Sequence, residues 1–150
     1  HEQCVKYIDQ YDESYFHWQV TRNPYSRLVS CYFDKINRAG TRWYLDGASF
    51  ADWIETLASG DVESFDRHWR PQSISGEPVG AVCHLERLTD DFRELVAPNV
   101  GMDPVEFSNI MPATRRYGEP YQAYYGERQV EIVKHIYARD FEVLGYDINL

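Results

Sequence analysis

VTRNPYSRLVSCYFDKI, residues Val20 to Ile36, decides the fold because it joins a predicted strand to a predicted helix. The run that leads into this stretch and overlaps its first two residues, SYFHWQVT at 14–21, is rich in aromatic and β-branched side chains, which favours a strand. Asn23 is a good N-cap and Pro24 suits the first helical position, so the helix is predicted to begin there and to end at Gly40. Its apolar residues recur at the spacing of one buried face: Leu28, Val29, Tyr32, Phe33 and Ile36.

The turn between this strand and helix has the chemistry of an anion-binding site. A helix N-terminus carries a partial positive charge, and its first backbone N–H groups lack helical partners, so we expect them to be free for an anion. Arg22 stands just before the turn, and Arg27 and Ser30 follow on the helix. The sequence therefore predicts phosphate binding here, with a plain capped helix as the alternative.

Capping residues and apolar spacing predict a second helix and a second strand. Ser49, with Asp52 at the capping-box position, is expected to begin a helix that Gly60 ends. Its apolar face consists of Phe50, Trp53, Ile54 and Leu57. Residues 61–78 form a long connection, of the kind that often carries function. Residues 78–84 have the character of a short buried strand.

The C-terminal half is predicted to be mainly helical. Thr89 is expected to cap one helix, Asp103 and Pro104 to begin a short turn, and residues 127–140 to form a long final helix. The buried positions expected in the two longer helices are Phe92, Leu95, Val96, Val130, Val133, Ile136 and Tyr137. Strands alternating with helices predict an α/β fold with a parallel sheet, and 150 residues fit a single domain over 1–150.

Composition excludes several classes of function. The net charge of −9, without a basic run, opposes non-specific binding to nucleic acid. Cys4, Cys31 and Cys83 form no CxxC pair, which argues against a metal site and a disulfide framework and favours a reducing compartment. No apolar run reaches membrane-spanning length and no signal peptide is visible, so no membrane segment is expected.

Four segments in order resemble one protein family. Arg22-Asn-Pro-x-x-Arg27-x-x-Ser30-x-Tyr32 resembles the 3′-phosphate-binding motif of sulfotransferases that use 3′-phosphoadenosine 5′-phosphosulfate (PAPS). The likeness is to the carbohydrate sulfotransferases of the chondroitin 4-O type and their bacterial relatives. Three further segments are similar to that group: HWRPQ at 68–72; VCHLERLTDD at 82–91, where Cys83 replaces the usual glycine; and a C-terminal helix with Tyr124-Tyr125, Ile136 to Phe141 and Gly145-Tyr146-Asp147.

The resemblance implies a three-layer, P-loop-like sulfotransferase fold with a parallel sheet. In that fold an N-terminal strand and a Lys-bearing loop, which cradles the 5′-phosphosulfate, would precede the residues seen here. The sequence contains no Gly-rich or Pro-Lys-x-Gly/Thr-Thr loop. We therefore expect an N-terminally truncated chain, or a divergent member that has lost this half of the cofactor site, and the fragment alone is expected to be inactive.

The resemblance also implies a cofactor and roles for individual residues. PAPS would be the sulfuryl donor, with adenosine 3′,5′-bisphosphate as product, a hydroxyl of a carbohydrate or other small molecule as acceptor, and no metal. Arg22 and Ser30, with Arg27, would bind the cofactor. A histidine base often lies about twenty residues before the motif arginine in related proteins, and His1 stands 21 residues before Arg22. His68 would contact the acceptor, and it is the second candidate for the catalytic base after His1.

Each of these assignments has an alternative. The alternative for His1 is that it is the remnant of a purification tag. The alternative for His68 is a buried histidine whose hydrogen bonds are satisfied within the core. For Glu86, the alternative is a side chain that only fixes a loop through backbone N–H groups. A different class of function is a non-catalytic domain that binds a nucleotide or a partner. For localisation we expect the bacterial cytoplasm, or the Golgi lumen if the chain is a fragment of a eukaryotic protein.

Overall fold

The computed structural model describes residues 14–75, 79–102 and 118–150. Two parallel strands form its sheet, β1 (Trp18–Thr21) and β2 (Ala81–His84), with Trp18 opposite Ala81 and Thr21 opposite His84. Helices connect and follow these strands, so the predicted α/β fold with a parallel sheet is confirmed. Both strands are shorter than predicted at their N-terminal ends, and Pro78 lies outside the described residues.

Helix α1 (Pro24–Cys31) begins where the sequence predicts. The Asn23 side chain accepts hydrogen bonds from the backbone N–H groups of Tyr25 and Ser26, which confirms it as the N-cap. A π-helical turn, Tyr32–Ile36, continues the helix, and Gly40 lies in the following loop with a φ of 88°. The helix therefore ends four residues before the predicted stop. Its predicted inner face is buried except for Phe33, which is half-buried.

Helix α2 (Phe50–Ala58) confirms the predicted capping box. The Ser49 side chain accepts from the Asp52 backbone, and the Asp52 side chain accepts from the Ser49 backbone. The predicted face of Phe50, Trp53, Ile54 and Leu57 is buried. The described part of the long connection that follows contains two short 3-10 helices, Val62–Ser64 and Gln72–Ser75.

The region after β2 differs from the prediction. A 3-10 turn, Leu85–Arg87, leads directly into α3 (Leu88–Asp91), a π-helical turn (Phe92–Val96) and α4 (Ala97–Val100). Thr89 was expected to cap this helix, and that prediction is wrong because the preceding backbone is already helical. Leu95 is 40% exposed, also against the prediction, because the wider π-helical turn rotates it away from the buried face. The predicted turn at Asp103 lies outside the described residues.

The predicted single C-terminal helix is two helices. A 3-10 helix, Tyr121–Tyr124, precedes α5 (Glu127–Ile136), which ends at Tyr137, and α6 (Ala138–Leu144) follows. Tyr137 has φ −107° and ψ 19°, which interrupts the regular helix. The apolar spacing continues through the interruption, so periodicity alone cannot reveal it. Val133 and Tyr137 are buried as predicted, whereas Val130 and Ile136 are half-buried.

In the part of the chain that the structure describes, two groups of buried side chains form the core. The larger is rich in aromatic rings and joins α1 and α2 to α5 and α6; the Tyr25 and Phe141 rings, for example, lie 5.2 Å apart. The smaller packs β2 against α3 and the helical residues after it. Among the helices of the described residues, none has the length and apolar character needed to cross a membrane.

Candidate active site

The candidate site lies where the two parallel strands end. Thr21 and His84 are the last residues of β1 and β2 and stand opposite each other, so the segments that follow emerge side by side. Arg22 and Asn23 follow the first strand, and Glu86 follows the second. In open α/β sheets, ligands bind outside the carboxyl ends of the strands. The predicted phosphate motif therefore lies at the edge where such sites form.

Glu86 joins these two segments. Its Oε1 accepts a hydrogen bond from the Asn23 backbone N–H at 2.9 Å and lies 3.4 Å from the Ser26 hydroxyl. The Tyr146 hydroxyl is 3.4 Å from the other carboxylate oxygen. The interpretation that Glu86 fixes the turn through a backbone N–H is thus confirmed.

The backbone N–H groups at the start of α1 are occupied, which corrects the expectation that they are free. Those of Tyr25 and Ser26 donate to the Asn23 side chain at 2.9 and 3.4 Å. The Arg27 N–H donates to the Asn23 carbonyl, and Pro24 has no N–H. Asn23, the residue that predicts the start of the helix, therefore binds the N–H groups that were expected to be free for an anion. An anion at this turn would therefore be held by side chains and by the helix dipole.

Contacts with Ser26 and Gln72 hold Arg22 at this helix end. Its Nε donates to the Ser26 hydroxyl at 3.0 Å. Its backbone N–H donates to Gln72 Oε1 at 3.0 Å, and its carbonyl accepts from Gln72 Nε2 at 2.8 Å. Ser30 follows Ser26 by one helical turn, about 6 Å further along the same side of α1. Arg22 is thus joined to α1 one helical turn before Ser30.

Arg27 has its guanidinium group among structural partners. Its Nη2 donates to the Arg70 carbonyl at 2.7 Å and lies 4.0 Å from Asp140 Oδ2, and the group lies over the Tyr137 ring. Burial lowers the pKa of Arg27, and the neighbouring Tyr137 and Asp140 oppose that shift. Its Nε is buried without a hydrogen-bond partner among the described residues. These contacts show Arg27 joining α1 to the long connection, and its role toward a cofactor stays a prediction.

His68 forms a dyad with Asp66. Its Nδ1 lies within hydrogen-bonding distance of Asp66 Oδ1, and its ring packs edge-on against Trp43, with ring centroids 5.0 Å apart. Burial tends to raise the pKa of Asp66, but hydrogen bonds from His68 and Arg42 outweigh it, so the pKa is lowered. The His68 side chain is 29% exposed. An imidazole whose Nδ1 faces a carboxylate can exchange a proton at Nε2, so the dyad suits either a structural or a basic role.

Comparison with known proteins identifies the family. The profile described as "Sulfotransferase family" matches residues 2–147, nearly the whole chain. The chain belongs to the sulfotransferase family. No curated protein and no solved structure matches it. Membership confirms the resemblance at the level of the family, supports transferase activity, and does not favour the alternative of a non-catalytic domain.

The predicted residues of this sulfotransferase are not all in one place. Arg22 contacts Ser26 on α1, one helical turn before Ser30, whereas the Arg27 guanidinium lies near Asp140. His68 lies on the connection that Gln72 attaches to Arg22. His1 lies outside the described residues, so its catalytic role stays a prediction.

Sequence reasoning missed two residues that organise the site of this sulfotransferase. Gln72 follows the HWRP segment directly but received no role. Asp140 occupies a fully buried position on α6, where its carboxylate accepts from the backbone of the long connection. A carboxylate among the apolar positions of a predicted helix was the signal available for Asp140, because buried charges almost always have a partner.

Within residues 14–75, 79–102 and 118–150, no three potential metal ligands come together. Cys31 and Cys83 are buried free thiols. Burial raises the pKa of Cys31 to about 12, so this thiol is protonated at neutral pH.

Proposed function

We propose that the protein transfers a sulfuryl group from PAPS to a hydroxyl of a carbohydrate or another small acceptor. Membership of the sulfotransferase family supports the reaction class. The observation that carries the choice of donor is Arg22, which stands at the carboxyl edge of parallel strands with its guanidinium directed along α1 by Ser26. The resemblance of the Arg22 to Tyr32 segment to the chondroitin 4-O type sulfotransferases supports the carbohydrate acceptor.

The residues at this turn fit a phosphate by their chemistry. Arg22 offers a planar guanidinium that can bind two phosphate oxygens, and the Ser30 hydroxyl adds a neutral donor on the same side. The positive end of the α1 dipole favours the anion, although Asn23 already occupies the backbone donors. Glu86 stands close to this turn and would repel a phosphate that came near the Asn23 N–H. Because Glu86 Oε1 also lies 3.4 Å from the Ser26 hydroxyl that holds Arg22 Nε, we expect the phosphate to bind beyond Ser26, toward Ser30.

The protein's own contribution to the chemistry is to bind, to orient and to accept a proton. When bound, PAPS supplies the sulfuryl group that the acceptor oxygen attacks. His1 is the proposed base for the acceptor proton, with His68 as the reserve. The Asp66 carboxylate would orient the His68 ring through Nδ1.

Nucleotide binding tests the donor. In the full-length protein, adenosine 3′,5′-bisphosphate should bind more tightly than 5′-AMP, because only the former carries the 3′-phosphate. Arg22→Ala should remove most of this preference, a change of roughly 10- to 100-fold if one charge-assisted contact contributes about 1.5–3 kcal/mol. Isothermal titration calorimetry measures both affinities.

A matched arginine provides the control. Arg93 is exposed and pairs with Asp90 on the helical region after β2, so Arg93→Ala should keep the preference. Equal affinity of the wild-type protein for both nucleotides would refute PAPS as the donor.

A further inference from the structure

The side chain of Gln72 makes a paired contact with the backbone of Arg22. Its amide oxygen accepts the Arg22 N–H at 3.0 Å, and its amide nitrogen donates to the Arg22 carbonyl at 2.8 Å. An amide side chain thereby satisfies both backbone groups of a single residue, as a neighbouring strand does in a sheet. The two bonds fix the orientation of the Arg22 peptide units just beyond β1.

Gln72 is itself held from the other side by Asp140. The two carboxylate oxygens of Asp140 accept the backbone N–H groups of Gln72 and Ser73, each at 2.8 Å. These are the first donors of the 3-10 helix Gln72–Ser75, so a distant carboxylate acts as its cap. Asp140 is fully buried on α6, within the core. The connection is therefore attached to the protein interior at the residue that contacts Arg22.

We propose that Gln72 is a positioning residue for the nucleotide site: anchored by Asp140, it holds the Arg22 backbone so that the guanidinium meets the 3′-phosphate. The inference rests on the proposed function, in which Arg22 binds that phosphate. Gln72 acts through the backbone of Arg22 and not by touching the nucleotide.

The guanidinium depends on this backbone support. Ser26 contacts the Arg22 side chain through Nε, and Gln72 fixes the backbone from which that side chain extends. A bidentate contact with phosphate requires a defined guanidinium plane, so a small rotation of the Arg22 peptide unit weakens it. Losing Gln72 should therefore reduce the preference for the 3′-phosphate more than it reduces binding of the nucleotide as a whole.

Two substitutions of Gln72 separate this role from packing. Gln72→Met keeps the length of the side chain and removes both hydrogen bonds. Gln72→Glu keeps an acceptor for the Arg22 N–H but sets a carboxylate against the Arg22 carbonyl. The control is Gln129→Met, since Gln129 Oε1 also accepts a backbone N–H, that of Gly126, at the start of α5.

The measurement is the ratio of the dissociation constants of 5′-AMP and adenosine 3′,5′-bisphosphate in the full-length protein, with folding checked by circular dichroism. In both Gln72 variants this ratio should fall by roughly tenfold or more, while the affinity for 5′-AMP changes little. Gln129→Met should have the wild-type ratio. A general loss of stability would not move the ratio of the folded protein.

The outcomes distinguish the inference from the proposed function. A wild-type ratio near one, or an unchanged ratio in Arg22→Ala, would overturn the proposed function itself. If Arg22→Ala lowers the ratio but folded Gln72→Met retains the wild-type value, Arg22 binds the phosphate without Gln72 and the inference is overturned. A ratio that falls equally in Gln72→Met and Gln129→Met would also overturn it, because the effect would then be unspecific.

Discussion

Replacing Asp140 by alanine should strongly destabilise the fold. The carboxylate is fully buried and accepts two backbone N–H groups at 2.8 Å, from Gln72 and Ser73. Hydrogen bonds to a charged group contribute about 1.5–3 kcal/mol each, and the two donors belong to half-buried residues that water can partly satisfy, so the lower values apply. Arg27 also loses its buried counter-charge at 4.0 Å. We expect the free energy of unfolding to fall by about 3–4 kcal/mol.

Urea unfolding followed by circular dichroism measures this loss. Asp90→Ala is the matched control, because Asp90 is 69% exposed and pairs only at the surface with Arg93, so its removal should change stability by less than about 0.5 kcal/mol. Asp140→Asn keeps the shape and one acceptor oxygen and should lie between the two. If Asp140→Ala lost no more stability than Asp90→Ala, the carboxylate would not be the anchor of the long connection.

Three further predictions concern titratable groups. His1→Ala in the full-length enzyme should lower turnover by roughly 10²–10⁴-fold with nucleotide affinity unchanged; full activity in that variant and none in folded His68→Ala would reverse their roles. Burial tends to raise the pKa of Asp91, but hydrogen bonds from His84 outweigh it, so the pKa is lowered and this carboxylate stabilises the fold above its unfolded pKa near 3.8. The stability difference between wild type and Asp91→Asn should therefore shrink as pH falls through the folded pKa, and a difference constant from pH 7 to 2 would contradict the contact. The Cys31 thiol, with a pKa of about 12, should be alkylated by iodoacetamide only on unfolding, and peptide mass spectrometry showing rapid native alkylation would disprove its burial.

Local sequence signals correctly predicted where the first two helices begin. Asn23 followed by Pro24, and Ser49 with Asp52, begin helices where expected because a cap acts on donors within three residues of itself. The interruption at Tyr137 and the π-helical turn at Phe92–Val96 escaped prediction because the apolar spacing is nearly the same on both sides of each. Such irregularities are set by tertiary packing and leave little trace in periodicity.

Local chemistry was enough to select candidates for the site. Arg22 and Ser30 were selected from one motif on one turn and helix, and their role toward a phosphate stays a prediction. The support beneath them was not identified, since Gln72 and Asp140 meet Arg22 only through the folded chain. The prediction of free N–H donors at the helix start was wrong for a different reason. An N-cap side chain accepts hydrogen bonds from those same N–H groups, and Asn23 binds those of Tyr25 and Ser26.

The anchoring of Gln72 by Asp140 has a consequence for the order in which the protein assembles. The contacts that build the site join residues far apart in the chain: 50 residues from Arg22 to Gln72, 63 from Asn23 to Glu86 and 68 from Gln72 to Asp140. Contacts of such separation form late, because long loops must close before they are made. During synthesis on the ribosome, β1 and α1 emerge well before α6. The proposed nucleotide site can therefore mature only when α6 has left the exit tunnel, so a ribosome-bound chain that lacks α6 should carry Arg22 without the proposed preference for the 3′-phosphate.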